Sequence, residues 1–197
     1  LMEAVLQADE AIFLWINQWV GTSHLFDRVV QLVVSDYLVP VVFSLVLLGL
    51  WFGWRGQDMR ERHQRGVMLA GIGVGIASAA VMIINHYYFR SRPFDVHEVK
   101  LLFYTPTDSS FPANPMAVTF AMATGALVAN RRIALAMYVV ASIYGLSRVY
   151  AGVFYPLDVV GGALIGVATT RLVQYLLKAV EPVPTLCLKV VRFLCLA

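Results

Sequence analysis

The chain has 197 residues, of which 59% are hydrophobic and only 14% are charged, and its mean hydropathy is +0.72. Soluble domains carry roughly a quarter charged residues, so this composition excludes an ordinary soluble domain. It favours an all-α, polytopic membrane bundle and, with a net charge of only +3, we expect no nucleic-acid partner. We expect one integral membrane domain over residues 1–197, with a first-span and interfacial region (1–35), core spans (36–178) and a juxtamembrane tail (179–197).

The first half of the chain predicts two short helices, a span and a loop. Residues 2–20 form a short apolar helix in which Trp15 and Trp19 suit a membrane interface. Residues 24–35 alternate apolar and polar side chains, as in an interfacial amphipathic helix. Residues 37–54 are uncharged and long enough to span, and the charged residues 55–65 predict a cytoplasmic loop.

The second half predicts four more spans. Residues 66–89 are rich in glycine and alanine, which indicates close helix packing rather than a nucleotide-binding loop. A polar loop (90–110) precedes spans at 111–130, 133–146 and 157–177, and residues 186–197 predict a second interfacial helix. The result is a bundle of about six membrane-embedded helices.

The positive residues predict the orientation of this bundle. On this topology most of them fall on one side: Arg55, Arg60, Arg62, Arg65, Arg131, Arg132, Lys178, Lys189 and Arg192. Positive residues favour the cytoplasm, so we expect cytoplasmic termini. The first apolar run is acidic at its start and lacks a small-residue cleavage site, so we expect no cleaved signal peptide. Cys187 and Cys195 lie close to the end, where acylation is a weak alternative to inert apolar cysteines.

Arg148 and Asp158 lie where one apolar segment ends and the next begins, with Gly152 and Pro156 between them. Charge near a membrane span is costly and therefore often functional. The alternative is an arginine that reaches the headgroups and an aspartate that caps the next helix. Two other polar segments, 85–93 and 109–115, converge on the same outer face in this topology.

These three segments resemble the signatures of the type 2 phosphatidic acid phosphatase superfamily, in particular its small bacterial members that act on undecaprenyl diphosphate. Residues 85–93 read NHYYFRSRP, residues 110–115 read SFPANP and residues 147–158 read SRVYAGVFYPLD. The order and the spacing match the three signatures of the family. The resemblance implies a helical membrane fold and a metal-independent lipid phosphatase.

Several positions depart from the residues that the resemblance implies. The family has a nucleophilic histidine where this chain has Phe154, an acid histidine where it has Pro115, and a phosphate-binding lysine where it has Asn85. Phe and Pro can neither attack phosphorus nor donate a proton. A vestigial site for an anionic headgroup is then expected from Asn85 with the residues that remain: Arg92, Asn114, Ser147, Arg148 and Asp158.

Replacement chemistry could come from another histidine, of which the chain has His24, His63, His86 and His97. His86 lies beside the lost lysine position and His97 lies in the outer loop, so either could approach the site. No metal-ligand spacing of His, Cys and carboxylates is present, and we expect neither a metal nor a cofactor.

The sequence therefore predicts a non-catalytic member of the family, and a divergent undecaprenyl diphosphate phosphatase is the alternative. Such a member would be a structural or docking subunit of a membrane assembly, or a binder of an isoprenoid or glycerolipid phosphate. The partner of Asp158 separates these two roles. We expect Asp158 to pair with Arg148 or Arg92, since an isolated buried carboxylate is too costly.

Overall fold

The computed structural model describes residues 2–53 and 56–181, and this part of the chain is helical with no β-strand. The helices, in chain order, are α1 (Met2–Asn17), α2 (His24–Val33), α3 (Leu38–Phe52), α4 (Gln57–Tyr87), α5 (Pro93–Val96), α6 (Asn114–Ala129), α7 (Arg131–Tyr150) and α8 (Pro156–Ala179). The all-α prediction is confirmed, and "about six" helices is an approximate count.

Helix α6 lies at the centre of the bundle, because most of its side chains are small and buried between α4 and α8. Glycines allow these helices to approach one another closely. A side chain at Gly66 of α4 would collide with the backbone of Ala129, and one at Gly162 of α8 would collide with the carbonyl of Ala113. The predicted packing role of the glycines holds for Gly66 and Gly73, whereas Gly71 faces open space.

Three helical segments are long and apolar enough to cross a membrane: Met59–Tyr87, Arg131–Tyr150 and Pro156–Ala179. Helices α2 and α3 meet this criterion only together and are bent by 51° at their junction, so the described residues contain up to four spans. Helix α6 is apolar but short. The length and composition of these helices agree with an integral membrane protein.

The structure corrects the prediction of a loop over residues 55–65, because α4 already begins at Gln57. Arg, Glu, Gln and Met are good helix formers, and hydropathy alone cannot distinguish a polar helical turn from a loop. Arg65 and Glu61 form an i, i+4 ion pair of 3.2 Å within this turn, and Arg65 also reaches Glu181 after α8 at 2.6 Å. The polar start of α4 is therefore fixed against the end of α8.

The turn between α7 and α8 is fixed by the end of α1. Gly152 has φ +86°, a conformation that favours glycine, and it redirects the chain after α7. The Asn17 side-chain amide donates to the carbonyls of Tyr150 (2.9 Å) and Lys100 (3.0 Å). Helix α1, the loop before α6 and the α7–α8 turn therefore meet at one end of the bundle.

The predicted interfacial helix at residues 186–197, with Cys187 and Cys195, lies outside the described residues. The domain boundaries and the cytoplasmic location of the termini stay predictions.

Candidate functional site

Arg90, in the segment after α4, bridges two carboxylates that are far apart in sequence. Its Nη1 donates to Asp158 Oδ1 at 2.6 Å and its Nη2 donates to Asp9 Oδ2 at 2.7 Å. The guanidinium also lies over the ring of Tyr155, 4.2 Å from the centroid. Burial lowers the pKa of Arg90, but Asp158 and Asp9 outweigh this effect and hold that pKa above its ordinary value. Arg90 therefore stays charged.

Asp158 is fully buried in the first turn of α8. Its Oδ2 accepts hydrogen bonds from the backbone N–H of Tyr155 (2.9 Å) and from Ser110 Oγ (2.5 Å). Asp9 caps the same helix from α1, because its Oδ1 accepts from the N–H of Leu157 at 2.8 Å. Carboxylates are favoured at a helix N-terminus by the helix dipole.

The structure corrects the predicted pairing of Asp158 with Arg148 or Arg92, because the partner of Asp158 is Arg90. The backbone of Arg90 is held beside α6 and α8: its carbonyl accepts from the N–H of Ser110 (2.9 Å), and its N–H donates to Ser109 Oγ (3.0 Å). Arg90 thus reaches the start of α8 directly, whereas Arg92 pairs with Asp108 and Arg148 pairs with Asp36.

Arg92 is almost completely buried and is held by the loop before α6 and by the α7–α8 turn. Its Nε donates to the carbonyl of Asp108 (3.0 Å), its Nη2 to Asp108 Oδ1 (2.8 Å) and its Nη1 to the carbonyl of Val153 (3.2 Å). The guanidinium lies 4.4 Å from the centroid of the Phe154 ring. Phe154, which stands where the resemblance implies a nucleophilic histidine, thus packs against Arg92.

Arg148, also almost completely buried, faces the junction of α2 and α3. Its Nη2 donates to Asp36 and to Tyr144 Oη, the latter at 2.6 Å, whereas its buried Nε has no hydrogen-bond partner. Tyr104 Oη donates to the other oxygen of Asp36 at 2.7 Å, and this hydrogen bond, with burial and the charge of Asp36, raises the pKa of Tyr104 to about 12. The phenol therefore remains a donor at neutral pH.

In these pairs, three guanidinium groups face four carboxylates: Asp9 and Asp158 at Arg90, Asp108 at Arg92, and Asp36 at Arg148. The carboxylates differ in exposure. Asp9 and Asp158 are buried, whereas the side chains of Asp108 and Asp36 are 63% and 31% exposed. A phosphate could thus reach Arg92 and Arg148 by replacing an exposed carboxylate, but it could reach Arg90 only by breaking a buried pair.

The remaining predicted site residues contribute differently. Asn85 Oδ1 is buried at the end of α4 without a hydrogen-bond partner, and Asn114 is exposed at the start of α6. Ser147 Oγ donates to the carbonyl of Tyr144 (2.7 Å), a bond within α7. Pro115 lies in the first turn of α6. The predicted residues thus share one end of the bundle but do not form a single cluster.

A histidine–carboxylate pair lies beside this network. His97 Nε2 is 2.9 Å from Glu10 Oε1, and the His97 ring meets the Tyr155 ring edge-on with centroids 6.4 Å apart. The His97 side chain is 19% exposed. His86 is exposed at the end of α4, and its ring packs edge-on against Tyr87. Of the two histidines considered as replacements, His97 is therefore the one that adjoins the α7–α8 turn.

Four members of the site were not predicted from the sequence: Asp9, Glu10, Asp36 and Arg90. A carboxylate next to an apolar helix is energetically costly unless a cation lies nearby, and this cost was the signal that could have identified the acidic residues. Within residues 2–53 and 56–181, no three side chains of His, Cys, Asp or Glu come together as metal ligands would.

Comparison with known proteins gives relatives along most of the chain. The PAP2 superfamily matches residues 66–181, more than half of the 197 residues. The undecaprenyl-diphosphatase BcrC of Bacillus subtilis is 30% identical over 151 residues, which are 75% of this chain and 74% of that protein. The putative undecaprenyl-diphosphatase YbjG of Escherichia coli is 26% identical over 157 residues, 79% of this chain and 76% of that protein.

Solved structures agree with this assignment. LpxE of Aquifex aeolicus superimposes with a TM-score of 0.64 at 26% identity, covering 82% of this chain and 92% of that one. A PAP2-type phosphatidylglycerolphosphate phosphatase of Bacillus subtilis superimposes with a TM-score of 0.66 over 91% of this chain and 89% of that one; at 21% identity it supports the fold alone.

These comparisons correct the functional prediction. The prediction of a non-catalytic structural or docking member is wrong, because relatives such as BcrC and YbjG are named as undecaprenyl-diphosphatases; the alternative, a divergent lipid (undecaprenyl) diphosphate phosphatase, agrees better. The inference failed because it treated the loss of histidines at positions 154 and 115 as the loss of activity. The fold, the matched segment and the relatives together show that the chain is a bacterial-type membrane member of the PAP2 superfamily, the type 2 phosphatidic acid phosphatases.

Proposed function

We propose that this protein is a lipid phosphatase that acts on polyprenyl diphosphates, the substrate class named for its undecaprenyl-diphosphatase relatives. One observation carries the proposal: the similarity to BcrC extends over three quarters of both chains. In the reaction, a water oxygen ends up bonded to the terminal phosphorus and the bond from that phosphorus to the bridging oxygen breaks. The products are inorganic phosphate and a polyprenyl monophosphate.

We assign phosphate binding to Arg92 and Arg148, which lie at the two arginine positions of the family signatures. A guanidinium offers a planar pair of donors that matches two phosphate oxygens. Arg148 has a buried Nε without a hydrogen-bond partner, so it has a donor to offer a ligand. Asp36 and Asp108 form ion pairs with these arginines when no substrate is bound, and the substrate phosphates replace the two carboxylates.

The proton transfers cannot use Phe154 or Pro115, and we assign them to His97. Its Nε2 faces Glu10, as in a base held by a carboxylate, which leaves Nδ1 for the attacking water. Tyr155 joins His97 to the α7–α8 turn that holds Arg92. In this reading, His97 takes a proton from the water and returns it to the leaving oxygen, while Glu10 orients the imidazole.

The location and the partners of the protein follow from the same proposal. The arginine-rich segments support termini in the cytoplasm and a candidate site at the outer face of the bacterial cytoplasmic membrane. Membrane lipids are then the partners of the chain, with an isoprenoid phosphate as ligand. Binding to other membrane subunits stays a prediction.

The purified protein in lipid nanodiscs is expected to release inorganic phosphate from undecaprenyl diphosphate. An Arg148→Gln variant should lose roughly 10- to 150-fold in kcat/KM, since a hydrogen bond to a charged group is worth about 1.5–3 kcal/mol. Arg171→Gln is the matched control, because Arg171 is exposed on α8 and hydrogen-bonds to Gln174 nearby on the same helix. Phosphate release by the parent protein no faster than by empty nanodiscs would refute the proposal.

Removal of the exposed competing carboxylates should strengthen substrate binding. Asp108 is 63% exposed and competes with the substrate for the buried Arg92, so Asp108→Asn is expected to lower KM with little change in kcat. Asp36→Asn should act in the same direction at Arg148. The measurement is the dependence of phosphate release on undecaprenyl diphosphate concentration, with the exposed Glu98→Gln as control. A raised KM in both aspartate variants would contradict the competition between carboxylate and phosphate.

A further inference from the structure

An apolar groove of about 370 Å³ runs between α2 and α7. Helix α2 contributes Phe26, Val29 and Val33 to one wall, and α7 contributes Leu146, Ser147 and Tyr150 to the other. The residues from α7 recur at intervals of three and four, so they form one stripe along that helix. The groove is therefore a continuous feature of two helix faces.

The polar atoms at the groove are engaged elsewhere, which keeps its surface apolar. Ser147 Oγ donates to the carbonyl of Tyr144, and Tyr150 Oη donates to Asp27 at 2.8 Å. The ring of Tyr150 packs edge-on against Phe26 with centroids 5.1 Å apart and joins the two walls. Such a surface offers a ligand contact with carbon atoms and no hydrogen bonds.

The groove adjoins Arg148. Arg148 directly follows the groove residue Ser147, and its partner Asp36 lies three residues after the groove residue Val33. Helix α2 and the residues that follow it thus contact α7 at two places: at the groove, and at the ion pair of Asp36 with Arg148. Arg148 does not line the groove, but its buried guanidinium, whose Nε lacks a hydrogen-bond partner, lies one residue along α7 from the groove wall. This juxtaposition matches an amphiphile with an anionic head and an apolar tail.

We propose that the α2–α7 groove binds the isoprene units next to the diphosphate of a polyprenyl diphosphate while the phosphate contacts Arg148, an inference that rests on the proposed function. A single groove takes a single chain, as in a prenyl diphosphate, whereas a diacyl phospholipid carries two. A cavity of about 150 Å³ holds a benzene molecule. The groove therefore has room for the first part of a prenyl chain, with the remainder in the bilayer.

Val29→Trp tests the groove, because Val29 lines it and is 49% exposed, so a larger side chain can be placed without disturbing the core. Loss of contact with about two buried methylene groups predicts a fall of about tenfold in kcat/KM for undecaprenyl diphosphate. Leu32→Trp is the matched control: Leu32 is 68% exposed on the same helix and does not line the groove. Equal kinetics of both tryptophan variants would overturn the proposal.

A cross-linking measurement separates this proposal from the proposed function, since it needs no turnover. Farnesyl diphosphate with a diazirine on its first isoprene unit is photolysed with the protein in nanodiscs, and the labelled peptides are identified by mass spectrometry. We expect labels on α2 and α7 that unlabelled undecaprenyl diphosphate removes, even if no phosphate is released. Labelling of the same helices by a diazirine phosphatidylcholine to an equal extent, without competition, would show a general lipid surface and refute the assignment.

Discussion

An Asp158→Asn variant is expected to lose about 3–5 kcal/mol in its free energy of unfolding, because it removes one partner of a buried ion pair. The asparagine cannot accept hydrogen bonds on two anionic oxygens. The change weakens the bonds from Arg90, Ser110 Oγ and the N–H of Tyr155 together. Arg90 would keep only Asp9 as a carboxylate partner.

The loss can be followed as reversible unfolding in mixed detergent micelles. Glu61→Gln is the control: it also removes the carboxylate of an ion pair with an arginine, Arg65, but both side chains are more than a third exposed, so we expect a loss of at most about 1 kcal/mol. Equal stability of the parent and Asp158→Asn proteins would mean that the buried network contributes no more than an exposed pair.

The helices could be predicted from the sequence to within a few residues where long apolar runs end in polar residues. The predicted span at 157–177 corresponds to Pro156–Ala179, and the span at 37–54 corresponds to Leu38–Phe52. The start of α4 could not be predicted, because residues 57–65 are charged and lack an apolar stripe. Hydropathy indicates what lies in a membrane, and it does not indicate where a helix that leaves the membrane ends.

The positions of Arg92 and Arg148 at one end of the bundle followed from the spacing of the signatures, but their partners did not. Arg90 is separated from Asp9 by 81 residues and from Asp158 by 68, so only the packing of α1 against the α7–α8 turn brings them together. The distance along the chain to Asp36 is likewise large for Arg148. A sequence shows that buried charges need partners, while the fold selects them.

The functional prediction failed for a related reason. A signature identifies the groups that perform the chemistry in most of a family, and Phe154 and Pro115 show only that those groups are absent here. Whether another group replaces them depends on which loops the fold brings to the site. His97 lies 57 residues before Phe154 in the sequence, yet its ring packs against Tyr155. The family fold thus leaves room for a displaced histidine.

A His97→Ala variant is expected to lose about 10²–10⁴-fold in kcat for phosphate release from undecaprenyl diphosphate, the usual contribution of a general acid–base group. Its substrate affinity should change little, because the arginines hold the phosphates. Glu10→Gln should lose less, since the imidazole remains but is oriented by a weaker hydrogen bond. Both effects are measured as initial rates at saturating substrate in nanodiscs.

His86→Ala is the matched control, because His86 is an exposed histidine at the end of α4 that packs against Tyr87.

The pH dependence of kcat distinguishes a catalytic role of His97 from a structural one. A general base must be neutral to accept a proton, so kcat of the parent should fall on acidification, and this acidic limb should be absent from the residual activity of His97→Ala. A variant that keeps both the rate and the acidic limb of the parent would exclude His97 as the base. A carboxylate of the arginine network would then be the next candidate for the base near the α7–α8 turn. Of those carboxylates, Asp9 and Asp158 are held in buried pairs by Arg90, so the exposed Asp108 beside Arg92 would be the next residue to replace.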